Sequence, residues 1–452
     1  MKKTIYILAA LAASFAISCN KGITTEEPNN EVETPKVEMQ TITFTANIDE
    51  KITRSSYAGG TTFNWDAGDE ISVYCSDGNF YNFRANTTGT STTFTGAIPS
   101  GESLGNYALF PADAGHTHGN FSLPRYKDLT SHYSAEIPMV GLKGEGNVYS
   151  FVHCAGAALL TITNIPSDIT SVTITVESAH ASDPTHCIKL SGSFYINSRE
   201  TTTPYWSGAY AATSDEKQFS RKVPVTNHTA QVYVICPGGY TNNCPNKLTV
   251  VGHTASTDVP LFTEKAMKKL GQVNRAHVLP LTELPLNNLS RIDWSDAGIA
   301  MSEVDPSDSR KCLTELKATA DSYYMYTRVK GPLSLFSGDY LDVYLSDGAG
   351  EHYALSDENK YWSTGGETVY REEHKGPVTS SSLSLTFNTK SVDTVTENSG
   401  DDIFWYIAFP RTAHSLLSSS GKVYVGFVLW NGWGVTGVIP TKYSAMLEVA
   451  LP

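Results

Sequence analysis

From Thr41 to its end the chain is written in short alternating runs of polar and apolar residues, each closed by Gly, Pro, Asn or Asp. In Thr41-Ile42-Thr43-Phe44-Thr45-Ala46 every second side chain is apolar or small. Successive side chains of an extended backbone point to opposite faces, so this period of two belongs to a half-buried strand. Ile71 to Cys75, Tyr107 to Phe110, Val172 to Val176, Ala230 to Ile235 and Leu248 to Val251 repeat the theme. Phe151 to Ile162 (FVHCAGAALLTI) is almost continuously apolar, as a strand covered on both faces would be. Helical spacing shows weakly, over Phe262 to Leu270 alone. The expected fold class is all-β. The chain's 24 Tyr and its charged fraction of only 17% fit pleated surfaces and polar turns.

The N-terminus sets the expected compartment. Lys2 and Lys3 precede a mostly apolar run, Ile5 to Ile17, too short for the roughly 20 residues of a membrane span. It reads as a secretory signal over residues 1–18. The ending Ala16-Ile17-Ser18-Cys19 resembles a bacterial lipobox, which implies a lipid on Cys19 and an anchor in a membrane. Residues 19–40 are rich in Thr, Asn, Pro and Glu and poor in large apolar side chains, so a tether is expected there. The net charge of −13 argues against a nucleic-acid partner, whose phosphates call for a basic patch.

Seven cysteines leave six besides Cys19. Their pairing is not deducible from spacing, and Cys236 with Cys244, across a turn-rich spacer, is the best local candidate disulfide. Cys75 and Cys154 sit within apparent strands and read as small buried apolar residues. Catalytic signatures are lacking: there is no G-x-S-x-G, H-E-x-x-H or phosphate-cradling loop. His116 and His118 in Gly115-His116-Thr117-His118-Gly119 lack a placed carboxylate, and Asp66 and Asp69 read better as turn residues than as metal ligands. His153 reads as a core or edge residue. The expectation is no catalysis, no metal and no cofactor.

Four pieces occur in a family order: Ile42-Thr43-Phe44, then Phe63-Asn64-Trp65-Asp66-Ala67-Gly68-Asp69 running into Ile71-Ser72-Val73-Tyr74, then Tyr107 to Pro111, then Phe151-Val152-His153. With the lipobox and tether, they resemble the fimbrillin-like lipoproteins of Bacteroides-type bacteria. The resemblance covers about residues 41–284 and implies tandem transthyretin-like β-sandwiches, over 41–165 and 166–284. It implies a place at the outer membrane and cell surface, as a fimbrial subunit, anchor, tip or adhesin. It also implies that Arg54 is a candidate site of Arg-specific cleavage after the first strand. Loss of that strand would open a groove for a strand of another subunit. On residue chemistry alone, Gly68-Asp69 makes a tight turn and Trp65 caps a sandwich core.

Residues 280–288 (Pro280, Pro285 and two Asn) read as a linker, and five of the seven Trp follow it. A third antiparallel β-sandwich is expected over 289–452. Its order, Asp293-Trp294, alternating Tyr, Tyr340 to Gly348 and Met446 to Val449, resembles family-9 carbohydrate-binding and DOMON-like modules. The resemblance implies contact with host or dietary glycans. Trp430, Asn431 and Trp433 on a Gly-rich turn, then Tyr361 and Trp362, are the candidate sugar-binding residues, whereas Trp294 and Trp405 read as core. The function expected is surface assembly or adhesion by strand exchange with fimbrial subunits, by ligand contact, or both. The alternative is a stand-alone surface glycan-binding lipoprotein of a polysaccharide uptake system.

Overall fold

The structure is a computed structural model. It describes residues 37–48, 63–117, 119–178, 187, 189–197, 205–207, 213–236, 246–267, 278–281, 283–295, 297–301, 313–332, 340–348, 369–372, 386–387, 390–431, 434–440 and 446–452. The described fold is all-β, and the apolar residues gather into three main clusters along the chain.

The first cluster lies inside a ring of seven strands: β1 (Met39–Ile48), β2 (Glu70–Cys75), β3 (Phe80–Ala85), β4 (Ser91–Pro99), β5 (Leu104–Phe110), β6 (Met139–Lys143) and β7 (Val148–His153). Around the ring the order is β1-β4-β3-β2-β5-β6-β7, and β1 closes it. β1 runs antiparallel to β4 over nine residue pairs, Met39↔Pro99 to Asn47↔Ser91. Its other edge runs parallel to β7, from Thr45↔Val148 to Ile48↔Phe151. The period of two is visible in its burial: Phe44, Ala46 and Ile48 face the core, while Thr43 Oγ1 meets Thr95 Oγ1 outside at 3.0 Å. Trp65 is fully buried and meets Phe94, Phe110 and Phe151 edge-on, with ring centroids 5.0–5.3 Å away. Gly141 leaves room for Phe151, because a Cβ there would fall 2.5 Å from the ring.

The long apolar run is two strands. β7 ends at His153, and β8 (Gly156–Thr163) starts a second sheet after Cys154-Ala155. Both are covered, as the run's composition required. β8 pairs with β11 (Ala230–Cys236), while β9 (Ser171–Ser178), β10 (Gln218–Pro224), β12 (Asn246–His253) and β13 (Asp258–Met267) form a facing sheet in the order β13-β12-β9-β10. β13 corrects the helical reading of 262–270 over its described part, 262–267. Phe262 pairs with Val250, and β13 carries an extra residue against β12 on either side of that pair, so bulges in β13 break its regular alternation and the spacing misleads. Within β10, Arg221 is almost fully buried. It stacks over Phe219 at 4.0 Å, donates to the carbonyls of Pro124 (3.0 Å) and Ser220 (2.9 Å), and lies 3.7 Å from Glu136.

The third cluster fills a two-sheet sandwich. One sheet is β14 (Gly298–Met301), β15 (Glu315–Ala320), β16 (Tyr324–Pro332), β19 (Asp402–Pro410) and β18 (Asp393–Ser399), in that order. The other contains β17 (Tyr340–Ser346), β20 (Gly421–Asn431), β21 (Gly434–Ile439) and β22 (Leu447–Leu451). Trp405 fills its centre with no exposed surface. Gly331 faces it, and a Cβ there would sit 2.7 Å from the indole. Buried Arg411 donates to the carbonyls of Leu417, Asp321, Ser419 and Pro452 at 2.8–3.1 Å, tying the end of the chain to the sandwich.

The expected linker is packed rather than loose. Leu284–Pro285 pairs in parallel with β8, and Leu286 and Leu289 are buried. Asn164 holds positive φ and donates to Leu286 O (2.9 Å) and Asp321 Oδ2 (2.7 Å). Tyr326 donates to the same carboxylate oxygen at 2.6 Å, and Asn288 donates to Asn164 O at 3.0 Å. Arg291 pairs with both oxygens of Asp168.

Candidate functional site

Most residues singled out by the sequence lie beyond what the structure describes. Cys19, Arg54, Cys244, Tyr361, Trp362 and Trp433 are outside the described residues, as are the side chains of Cys236, Trp430 and Asn431. The backbone places Trp430 and Asn431 at the end of β20, opposite Val435 and Gly434 of β21. What can be built from the residues upward is therefore the strand before Arg54, the motif after it, and one surface the sequence did not indicate.

Asp69 of the W-x-x-G-D motif is a structural tie. Gly68 has φ +98°, a value open to glycine, and Asp69 N–H donates to Asp66 O at 2.9 Å. The Asp69 carboxylate accepts the Asp66 N–H at 2.8 Å and faces His132 Nε2 at 2.9 Å. Burial, then the neighbouring Asp69 charge, raises the pKa of the Asp66 carboxyl. The motif thus fixes a turn and fastens the segment around His132 against the ring. Among the described residues no three His, Cys, Asp or Glu side chains converge in the manner of a metal site.

The histidine-rich loop has a similar explanation. His116 is 6% exposed, takes the Ser122 N–H on Nδ1 at 2.9 Å and donates from Nε2 to Pro111 O at 2.8 Å. With both ring nitrogens committed, it has no lone pair for a cation. Its burial lowers its pKa and keeps the ring neutral. His118 lies outside the described residues. His153 is buried and meets Phe63 edge-on at 4.7 Å. Cys75 and Cys154 are buried thiols outside any disulfide, Cys154 Sγ donates to Pro138 O at 3.4 Å, and burial pushes the Cys75 thiol up to about 11.

The outer face of the β14–β18 sheet carries an arrangement the sequence reading missed. Trp294 lies half-buried on this face, packed against a small cluster of Leu289, Tyr324, Tyr326 and Ala408; it is 5.9 Å from Tyr406, which is 6.5 Å from Phe404. The Arg328 guanidinium stands 5.8 Å from the Trp294 ring and 5.3 Å from Phe404, and is paired with Glu315. Lys330 pairs with Asp402 at 2.8 Å, and the Tyr406 hydroxyl donates to Glu397 at 2.7 Å. The signal was present in β19, where Phe404 and Tyr406 alternate with Ile403, Trp405 and Ile407. An all-apolar strand hides which set faces out until its partners are known.

The described residues thus give a first strand paired on both edges and a half-buried aromatic face. Among the described residues no helix is long and apolar enough to cross a membrane.

No protein-family model matches the chain, and no curated protein matches it. Among solved structures, it is similar to a protein from Bacteroides ovatus put forward as a cell adhesion protein, at 14% identity and a TM-score of 0.28, over 55% of this chain and 92% of that one. A protein from Bacteroides eggerthii put forward for the same role aligns at 11% identity and a TM-score of 0.22, over 54% and 86%. A leucine-rich repeat protein from Bacteroides thetaiotaomicron aligns at 8% identity and a TM-score of 0.17, over 61% and 30%. TM-scores this low do not establish a shared fold, and they assign no family.

Proposed function

We propose that this chain is an exported, lipid-anchored protein of the cell surface that acts by contact and not by catalysis, as a fimbrial subunit or adhesin able to exchange its first strand. The observation that carries the reading is the position of β1. It is the strand that closes the ring, it is bonded on both edges, and Arg54 follows it by a few residues. Cleavage at Arg54 would free β1 from the rest of the chain. The vacated slot would expose backbone groups of β4 and β7 and the apolar wall that Phe44, Ala46 and Ile48 cover. A strand of the same alternation from another subunit restores both sets of contacts. A chain that keeps β1 and its lipid on Cys19 serves instead as an anchor or stand-alone adhesin.

Mass spectrometry of the N-terminus of protein extracted from the cell surface tests this. A start at Ser55 identifies an exchanging subunit. An intact, acylated Cys19 identifies an anchor or adhesin. An unacylated chain recovered from the cytosol refutes the reading.

The aromatic face around Trp294, Phe404 and Tyr406 favours a second reading, a surface glycan-binding lipoprotein of a polysaccharide uptake system. Pull-downs from intact cells separate the two: fimbrial subunits are recovered in one case, polysaccharide in the other.

A further inference from the structure

A cleft of about 610 Å³ opens on the first ring, between the β2–β3 turn and the loop that follows β5. Its lining includes Asn79, Phe80, Tyr81, Asn82, Asp113 and His116. This volume falls in the range of about 300–1,000 Å³ usual for small-molecule sites. No part of the function proposed above uses it.

The walls are fixed by bonds that leave ligand-facing chemistry free. Phe80 is half-buried and braced by Tyr74 at 5.3 Å, Tyr107 at 6.2 Å and His116 at 6.1 Å. His116 is itself locked by its two backbone partners and offers only its ring. Asn82 Oδ1 accepts from Ser72 Oγ at 2.8 Å, which leaves its NH2 to donate. Asn79 Nδ2 and the Tyr81 hydroxyl both donate to Asp77, at 2.9 and 2.7 Å, so the Asn79 carbonyl is left to accept. Asp113 Oδ1 accepts the Gly115 N–H at 2.8 Å, which fixes a carboxylate with lone pairs to spare.

The mixture selects a ligand class. An aromatic ring beside a carboxylate and two oriented amides suits a ring that is apolar on one face and hydroxylated at its edge. Asp113 is the one charged side chain among the described lining residues, and it disfavours anions. A metal ion finds one carboxylate and a histidine with no free nitrogen. We infer that this cleft binds a neutral sugar, of mono- or disaccharide size, with Phe80 under the ring face and Asp113, Asn79 and Asn82 on its hydroxyls. The inference is independent of strand exchange and of the aromatic face on the third cluster.

The test uses the full, detergent-solubilised chain and saturation-transfer NMR. The probes are the methyl glycosides of glucose, galactose, mannose, fucose, xylose and N-acetylglucosamine, with galacturonate and tetramethylammonium as charged comparisons. At least one neutral glycoside is expected to receive saturation. Asp113→Asn keeps the turn acceptor but loses the charge, and should weaken that glycoside at least tenfold. Ala114→Trp, at an exposed lining position, should abolish the transfer by filling the space. Both variants should keep the parent's unfolding midpoint. The inference is overturned if no neutral glycoside receives saturation, if transfer survives Ala114→Trp, or if only a charged comparison binds. Because N-terminal processing is read separately, failure here leaves the strand-exchange proposal standing.

Discussion

Phe44→Ala should loosen the whole first ring and not just its first strand. Phe44 is 4% exposed and its ring lies 4.9 Å from Tyr149, 5.0 Å from Phe83 and 6.0 Å from Phe94, so it joins β1 to β7, β3 and β4. Truncating a buried Phe costs about 3–5 kcal/mol, the transfer loss plus the cavity. At about 1.4 kcal/mol per factor of ten, that is roughly two to three and a half orders of magnitude in the opening constant. Hydrogen exchange read by mass spectrometry resolves this by segment. Peptides from β4 and β7 should lose protection by that factor, because their amides open when the ring opens. Thr43→Ala, one residue away on the outer face, removes only the hydroxyl contact with Thr95 and should cost under about 1 kcal/mol. A synthetic peptide of residues 39–48 should restore protection to a chain lacking those residues. Loss of protection confined to β1 of the Phe44→Ala variant, with β4 and β7 unchanged, would refute the claim that β1 closes the ring.

Three further outcomes are expected. Gly331→Ala places a methyl 2.7 Å from the Trp405 indole and should destabilise the third sandwich by about 1–3 kcal/mol in thermal unfolding, with partial recovery in the Gly331→Ala, Trp405→Phe double variant. His116 has a lowered folded pKa, so on acidification the unfolded chain takes up a proton that the folded chain refuses. Its stabilising contribution is complete above the ordinary histidine value, about 6.5, and is lost as pH falls below it; denaturant midpoints between pH 7.5 and 5.5 should drop less in His116→Asn than in the parent. Asn164→Ala removes the donor that joins Leu286 O to Asp321, whose carboxylate keeps Tyr326 but loses its tie to the junction, so limited proteolysis should cut within residues 280–290 sooner than in the parent.

The alternation of short runs is a local property, and the all-β class was legible from it. Side-chain period follows directly from backbone conformation, so Phe44, Ala46 and Ile48 declare their face without any knowledge of a partner. The turn at Gly68-Asp69 was equally local. What Asp69 and His116 do was not, because their partners, His132 in one case and Pro111 and Ser122 in the other, are chosen by packing. Read alone, the histidine loop lacked the carboxylate a metal site needs but did not say what His116 does; in the fold it is a brace.

Tertiary structure alone decided three things. It sent one apolar run into two sheets, because the backbone after His153 leaves the ring at Cys154-Ala155. It turned residues 280–288 from an expected linker into a packed junction, because Leu286 finds the middle core and Asn164 and Asn288 find each other's neighbours across more than a hundred residues of sequence. It buried Trp405 between the two sheets and left Tyr406 half-buried on the other face beside Trp294, a choice that depends on which face of β19 meets the opposite sheet. Sequence period says that two faces differ; only the strands stacked against them determine which one meets water.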